Sequence, residues 1–181
     1  MLDIIRAIGL FAVTNVDDIV LLALFFARGV PPWRVVLGQY LGFTAILAVA
    51  IAAALGATLL PPSVLPWLGL LPLALGVKAA WQAWRGGEDG EPKATGALGV
   101  AAVTFANGGD NIGVYVPVFA TTGVTEYVIV FLVLVAIWCA AGHFFATRPL
   151  LTPTLTRWGH VLLPVVLIVI GALILLSGFR R

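Results

Sequence analysis

Acidic and amide side chains occur at two places inside long apolar runs of the sequence. The two groups are Asn15-Asp17-Asp18 and Asn107-Asp110-Asn111. An aspartate at the centre of a membrane helix costs about 2.5–3.5 kcal/mol on insertion scales, so three of them need partners, water or a ligand. Carboxylate and amide oxygens suit hard or intermediate divalent cations. The two groups therefore predict a cation site at mid-membrane depth.

Helical spacing predicts a shared face within each group. Thr14, Asn15 and Asp18 lie three or four residues apart, so they line one side of a continuous helix. The second group repeats this spacing. Thr14 is a candidate pathway residue, although a back-bonding role in its own helix is the alternative. Gln39, at the start of the second apolar run, is a further candidate for the same pathway.

No Lys or Arg is predicted at the depth of the three aspartates. Lys78 comes nearest to the middle of its apolar run, but its long side chain can reach the inner membrane surface. The partner of the carboxylates is then most simply a cation that passes through.

The composition predicts an all-α integral membrane protein. Of 181 residues, 61% are hydrophobic and 10% are charged, whereas soluble domains are nearer a quarter charged. Continuous apolar runs favour helices over strands. Six runs of spanning length occupy approximately residues 4–27, 35–60, 65–84, 97–120, 124–146 and 160–178.

Other features narrow the class of protein. The net charge of +2 indicates no nucleic-acid partner, and the single Cys139 excludes internal disulfides and thiolate clusters. The first run is longer than a signal peptide core and is interrupted by Asp17 and Asp18, so we expect a retained span. Small residues such as Ala52 and Gly56 could serve internal packing or a homodimer face.

Two pairs of landmarks share an offset of 92 residues. Asn15 corresponds to Asn107, and Leu71-Pro72 corresponds to Leu163-Pro164. The offset indicates a duplicated three-helix unit, and the odd number of spans makes the second unit inverted, as in many transporters. The chain is then one transmembrane domain, residues 1–181, with repeats at about 1–84 and 97–181 joined by a cytoplasmic linker, 85–96.

The distribution of Lys and Arg predicts the orientation. Seven of the ten fall at the first, third and fifth connections, which places these in the cytoplasm and both termini outside. The pair Arg180-Arg181 argues for the opposite orientation.

The glycine pair Gly108-Gly109 in the fourth apolar run allows two interpretations. The fourth helix could be unwound there and lend backbone carbonyls to an ion, or the glycines could permit close helix packing.

Three motifs resemble the cadmium resistance transporters of the LysE superfamily. They are Thr14-Asn15-Val16-Asp17-Asp18, Gly38-Gln39-Tyr40-Leu41-Gly42-Phe43 and Asn107-Gly108-Gly109-Asp110-Asn111-Ile112-Gly113-Val114-Tyr115-Val116-Pro117. The resemblance implies a multi-pass exporter in the bacterial plasma membrane that lowers cytoplasmic Cd²⁺. It also implies that both acidic motifs form the ion site.

Transport coupled to protons is the expected mechanism. No nucleotide-binding motif is present, and no permanently bound cofactor is expected. Carboxylates without an ion repel one another and favour protons, so metal/proton exchange is natural. The expected partners are the metal ion as substrate and the lipid bilayer.

Two alternatives come from other classes. One is an exporter of an amino acid or organic cation. A zwitterionic substrate would need a buried cation or an exposed helix N-terminus for its carboxylate, and no mid-span Lys or Arg provides the cation. An intramembrane aspartyl protease would use Asp110, since Gly109-Asp110 matches part of a Gly-x-Gly-Asp element, but Asn107 stands at its first glycine.

Overall fold

A computed structural model describes residues 2–59, 61, 64, 67–68, 70–85, 96–122 and 124–148, with isolated positions between 165 and 176. Its helices are α1 (Leu2–Thr14), α2 (Val16–Ala27), α3 (Pro32–Thr58), α4 (Leu70–Arg85), α5 (Ala97–Asn107), α6 (Gly109–Thr122) and α7 (Thr125–Ala146). No strand occurs in these ranges. The predicted all-helical class is confirmed for this part of the chain.

Helices α3 and α7 confirm the second and fifth predicted apolar runs as single helices. The apolar segments Pro32–Ala57 and Thr125–Ala146 are 26 and 22 residues long. About 20 residues of helix suffice to cross the hydrocarbon core of a bilayer. Pro31 caps α3 and Pro32 opens it, where a fixed φ and a missing N–H suit the first helical turn. Both helices are therefore long enough to span a membrane.

The first predicted run is broken rather than continuous. Helix α1 ends at Thr14, α2 begins at Val16, and the two axes differ by 56°. Together the pair is apolar and long enough to form one bent span. With it, the described residues contain two to three candidate spans.

The fourth predicted run is also interrupted, at Gly108 between α5 and α6. Helix α5 has 11 residues, which is too short to cross a bilayer by itself. A Cβ at Gly108 would overlap the side chain of Ile46 in α3, whereas one at Gly109 would meet nothing within 4 Å. The interruption and the close packing, which the sequence offered as alternatives, both occur at Gly108.

The remaining predicted spans are only partly described. Helix α4 has 16 residues and begins at Leu70, several residues after the predicted start of the third run. The linker between residues 86 and 95 and nearly all of the run 160–178 lie outside the described residues. The six-span topology, the inverted repeat and the orientation stay predictions.

Each broken helix packs on one of the two long helices. Helices α1 and α2 contact α7, α5 and α6 contact α3, and α3 contacts α7. Aromatic rings fill the space between them. The ring centroid of Phe11 lies 5.4 Å from those of Phe43 and Phe131, and the centroid of Tyr115 lies 4.9 Å from that of Phe131. This apolar core brings the two helix breaks together.

Candidate functional site

The breaks at Asn15 and Gly108 place three site residues in direct contact. The side-chain amide of Asn107 donates to Oδ2 of Asp17 at 2.8 Å and to Oδ1 of Asp18 at 3.0 Å. Asn107 is the last residue of α5, and the two aspartates lie in the first turn of α2. One amide therefore joins two carboxylates across two helices.

A second amide holds the other oxygen of Asp18. Gln39 in α3 donates from Nε2 to Asp18 Oδ2 at 2.9 Å, and Thr104 in α5 donates from Oγ1 to Gln39 Oε1 at 2.7 Å. Asp18, Gln39 and Thr104 are each no more than 3% exposed. The predicted pathway residue Gln39 thus contacts the predicted site, and Thr104 connects it to α5.

A cluster of amides and hydroxyls lies beside the carboxylates. Asn111 in α6 donates to Oδ1 of Asn15 at 3.1 Å. The amide of Asn15 lies 2.9 Å from the hydroxyl oxygens of both Thr14 and Tyr115, and these two hydroxyls are 3.0 Å apart. These residues tie the break after α1 to α6.

Two polar residues of the second group, Asp110 and Asn111, lie at the start of α6. Oδ1 of Asn111 is buried and has no hydrogen-bond partner among the described residues. A buried amide oxygen without a donor is costly unless a ligand or water satisfies it. Asp110, partly buried, accepts a hydrogen bond from the backbone N–H of Asn111 at 3.0 Å.

The carbonyl at the first break has a side-chain donor. The indole of Trp138 in α7 donates to the backbone oxygen of Asn15 at 2.7 Å. Asn15 is also the N-cap residue of α2, and the carbonyl of an N-cap residue accepts the first hydrogen bond of its helix. Trp138 therefore adds a side-chain hydrogen bond at the break, from α7 to the N-cap residue of α2.

The helix ends at the breaks have opposite electrostatic characters. Asp17 and Asp18 lie in the first turn of α2, and Asp110 lies in the first turn of α6. Exposed N–H groups make a helix N-terminus favourable for carboxylates, while the last carbonyls of a helix carry partial negative charge. The ends of α1 and α5 therefore add carbonyl dipoles that suit a cation.

The carboxylates do not form a metal centre without other groups. In the ranges that the structure covers, no set of three or more His, Cys, Asp or Glu side chains is close enough to hold a metal ion. The donors to Asp18 are neutral amides, which solvate a carboxylate without cancelling its charge. A bound cation would therefore need amide or carbonyl oxygens as well as carboxylates.

The structure corrects the geometric argument made from the sequence. The shared face of Thr14, Asn15 and Asp18 assumed a continuous helix, but the chain breaks at Asn15. Thr14 and Asn15 instead contact Tyr115, while Asp18 contacts Gln39. The residues still converge, because side chains of α3 and α6 both reach the region of the break.

Three contact residues were not singled out from the sequence as site residues: Thr104, Tyr115 and Trp138. Each lies in an apolar run, where a threonine, tyrosine or tryptophan is common. Tyr115 belongs to the third motif, but its residue type alone does not mark it as a partner of Asn15. The break at Asn15 did have a signal. Asn15 is a preferred N-cap residue, and it is followed by two acidic residues and an apolar run, which is typical of a helix N-terminus.

The fold and this geometry define a class: a helical membrane protein with a polar site where two interrupted helices meet. The family model of the cadmium resistance transporters matches residues 11–179. The match covers most of the chain, so the protein belongs to the cadmium resistance transporter family. No curated protein and no solved structure matches the chain.

Proposed function

We propose that this protein is a secondary transporter that exports a divalent cation, with Cd²⁺ as its principal substrate, across the bacterial plasma membrane. Membership of the cadmium resistance transporter family supports the substrate. The observation that carries the site is the contact of Asn107 with both Asp17 and Asp18, at 2.8 and 3.0 Å. It joins the two predicted acidic motifs at one point.

The proposed ion site consists of Asn15, Asp17, Asp18, Asn107, Asp110 and Asn111. The carboxylates supply charge, and the amide oxygens complete a coordination shell. The unpartnered Oδ1 of Asn111 is one oxygen that an ion could use. An oxygen-rich site of this kind selects among cations by cavity size and ligand number.

Proton exchange is the proposed energy source. Asp18 accepts hydrogen bonds from neutral amides, which do not cancel the charge of its ionised form, and an unbalanced charge is costly in a medium of low polarity. Either a metal ion or protons can balance Asp17, Asp18 and Asp110. Alternate occupation by metal and protons would couple export to the proton gradient.

The proposed architecture is an inverted repeat of three spans plus three, with both termini extracytoplasmic. Helix packing supports the repeat, because α1 and α2 of the first half pack on α7 of the second, and α5 and α6 pack on α3 of the first. The distribution of Lys and Arg supports the orientation. In addition, the hydroxyl of Tyr40 donates to the carbonyl of Leu132 at 2.9 Å, and these residues are 92 positions apart. That separation equals the offset between Asn15 and Asn107, so corresponding positions meet, as expected at a two-fold axis.

Flux measurements in proteoliposomes test the proposed function. Uptake of Cd²⁺, Mn²⁺, Zn²⁺ and Mg²⁺ would be followed with and without a pH gradient, for wild type, Asp18→Asn and Asp110→Asn. Glu126→Gln is the matched control, because Glu126 is an exposed carboxylate at the start of α7. We expect Cd²⁺ flux that needs the gradient and is lost in both aspartate variants but not in the control.

Two results would contradict the proposal at different levels. Cd²⁺ flux that persists after the proton gradient is collapsed would exclude proton exchange but leave metal transport. Absence of flux for all four metals, in protein that elutes as a folded species, would remove the metal-transporter assignment and favour an organic substrate.

A further inference from the structure

The geometry points to Thr104 as a positioning residue: its hydroxyl holds the Gln39 amide in the orientation that presents an N–H to Asp18. Gln39 is then a fixed hydrogen-bond donor to the site and not an oxygen ligand of the ion. The consequence for transport rests on the proposed metal site, whereas the orientation of Gln39 can be tested without it.

The hydrogen-bonding capacities of the three groups determine this orientation. In the ionised state of Asp18 the carboxylate only accepts, so the amide nitrogen of Gln39 faces it, at 2.9 Å. The amide oxygen then faces Thr104, which donates at 2.7 Å. Gln39 and Thr104 are 3% and 2% exposed, so water does not readily replace either bond.

Thr104 differs from other threonines of the structure in where its hydroxyl points. Thr14, Thr121 and Thr122 donate to carbonyls three or four residues earlier in their own helices, which is the usual bond of a helical threonine. Thr104 instead donates across the interface from α5 to α3. Its hydroxyl is therefore committed to Gln39.

Close helix packing brings the two side chains within reach. A Cβ at Gly38 would lie 2.5 Å from the carbonyl oxygen of Ala97, and one at Gly42 would lie 2.7 Å from Cβ of Thr104. Only glycine permits α3 and α5 to approach this closely. The two glycines flank Gln39 along α3 and so place it opposite Thr104.

The transport test is a double-mutant cycle in the same proteoliposomes. Thr104→Val removes the hydroxyl with little change of shape, and Gln39→Leu removes the amide. We expect each to raise the KM for Cd²⁺ about three- to tenfold, the size of one buried hydrogen bond, with kcat changed much less. Thr104→Ser should restore the wild-type KM, and Thr122→Val is the matched control on an exposed threonine.

Coupling between the two residues distinguishes positioning from packing. If Thr104 acts through Gln39, Thr104→Val should have no further effect on KM in the Gln39→Leu background. Additive effects, or a Thr104→Val protein that transports like Thr122→Val while wild type is active, would overturn the inference and leave the proposed function intact.

A second measurement does not depend on transport. The chain has two glutamines, Gln39 and Gln82, so protein labelled with ¹⁵N-glutamine gives two side-chain amide pairs in NMR spectra. We expect the Gln39 pair, assigned by its loss in Gln39→Leu, to exchange slowly with solvent in wild type and Thr104→Ser. It should exchange at least about tenfold faster in Thr104→Val, or in Thr104→Ala if the valine variant does not fold. Equal exchange in all folded variants would overturn the inference, even for a protein that moves no metal.

Discussion

The side-chain nitrogen of Asn107 lies 2.8 Å from Oδ2 of Asp17, although 90 residues separate them in the chain. Each residue lies beside a helix break, Asn107 at the end of α5 and Asp17 at the beginning of α2. The contact therefore depends on two interruptions that face each other inside the bundle. It makes both breaks parts of one site.

Asn107→Leu should disable the site while preserving the fold. Leucine has a similar volume but cannot donate to Asp17 and Asp18, so both carboxylates lose a shared donor. Loss of a hydrogen bond to a charged group costs about 1.5–3 kcal/mol, which corresponds to a fall of about 10- to 150-fold in Cd²⁺ affinity. Isothermal titration of detergent-purified protein with Cd²⁺ measures this. Unchanged affinity in a folded variant would show that Asn107 is not part of the ion site.

Gly42→Ala should destabilise the protein, whereas Gly56→Ala should not. A Cβ at Gly42 would collide with the carbonyl of Ala101 and with Thr104, while one at Gly56 meets nothing within 4 Å. We expect a loss of about 1–3 kcal/mol at Gly42 from overpacking. At Gly56 the expected gain is up to about 1 kcal/mol from helix propensity. Thermal unfolding in detergent compares them, and similar shifts for both would contradict the close packing of α3 on α5.

Tyr115→Phe should weaken the amide cluster through one missing hydroxyl. Thr14 and Asn15 would each lose a buried partner, at a cost of about 1–3 kcal/mol in the free energy of unfolding. Tyr127→Phe is the matched control, because Tyr127 is also buried among aromatic rings but lies outside the cluster. If thermal stability falls equally in the two variants, the hydroxyl network around Asn15 is not a special source of stability.

Trp138→Phe should destabilise the break at Asn15. Phenylalanine keeps the ring that packs edge-on against Phe11 at 5.1 Å but cannot donate to the carbonyl of Asn15. We expect a loss of about 1 kcal/mol or somewhat more, read as a lower unfolding temperature. Trp84→Phe, at a site 80% exposed, should change stability by less than half as much. The opposite order would mean that the indole bond does not support the break.

The sequence predicted the helical class and the approximate bounds of several helices. Apolar runs of spanning length indicated α3 and α7, because a continuous apolar surface of 20 or more residues has few stable solutions other than a membrane helix. The same reasoning missed the interruption at Asn15. An apolar run indicates that a segment is surrounded by lipid or protein, but it does not indicate whether the helix within it is continuous.

The candidate site was predictable as a set of residue types, because a buried carboxylate is costly wherever it occurs. Asp17, Asp18 and Asp110 are conspicuous for that reason in the sequence alone. Which partners they find was not predictable, since Gln39 and Thr104 come from helices that are distant in the chain and ordinary in local composition.

The sequence by itself determined that this is a helical membrane protein with acidic groups inside long apolar runs, because transfer energies depend on residue type and run length. The tertiary structure decided that α1 breaks from α2 at Asn15, that Asn107 joins Asp17 to Asp18, and that Thr104 holds Gln39. These features depend on how closely α3 packs against α5 and how the two breaks face each other. Such packing is set by the whole bundle, through contacts between residues far apart in the chain.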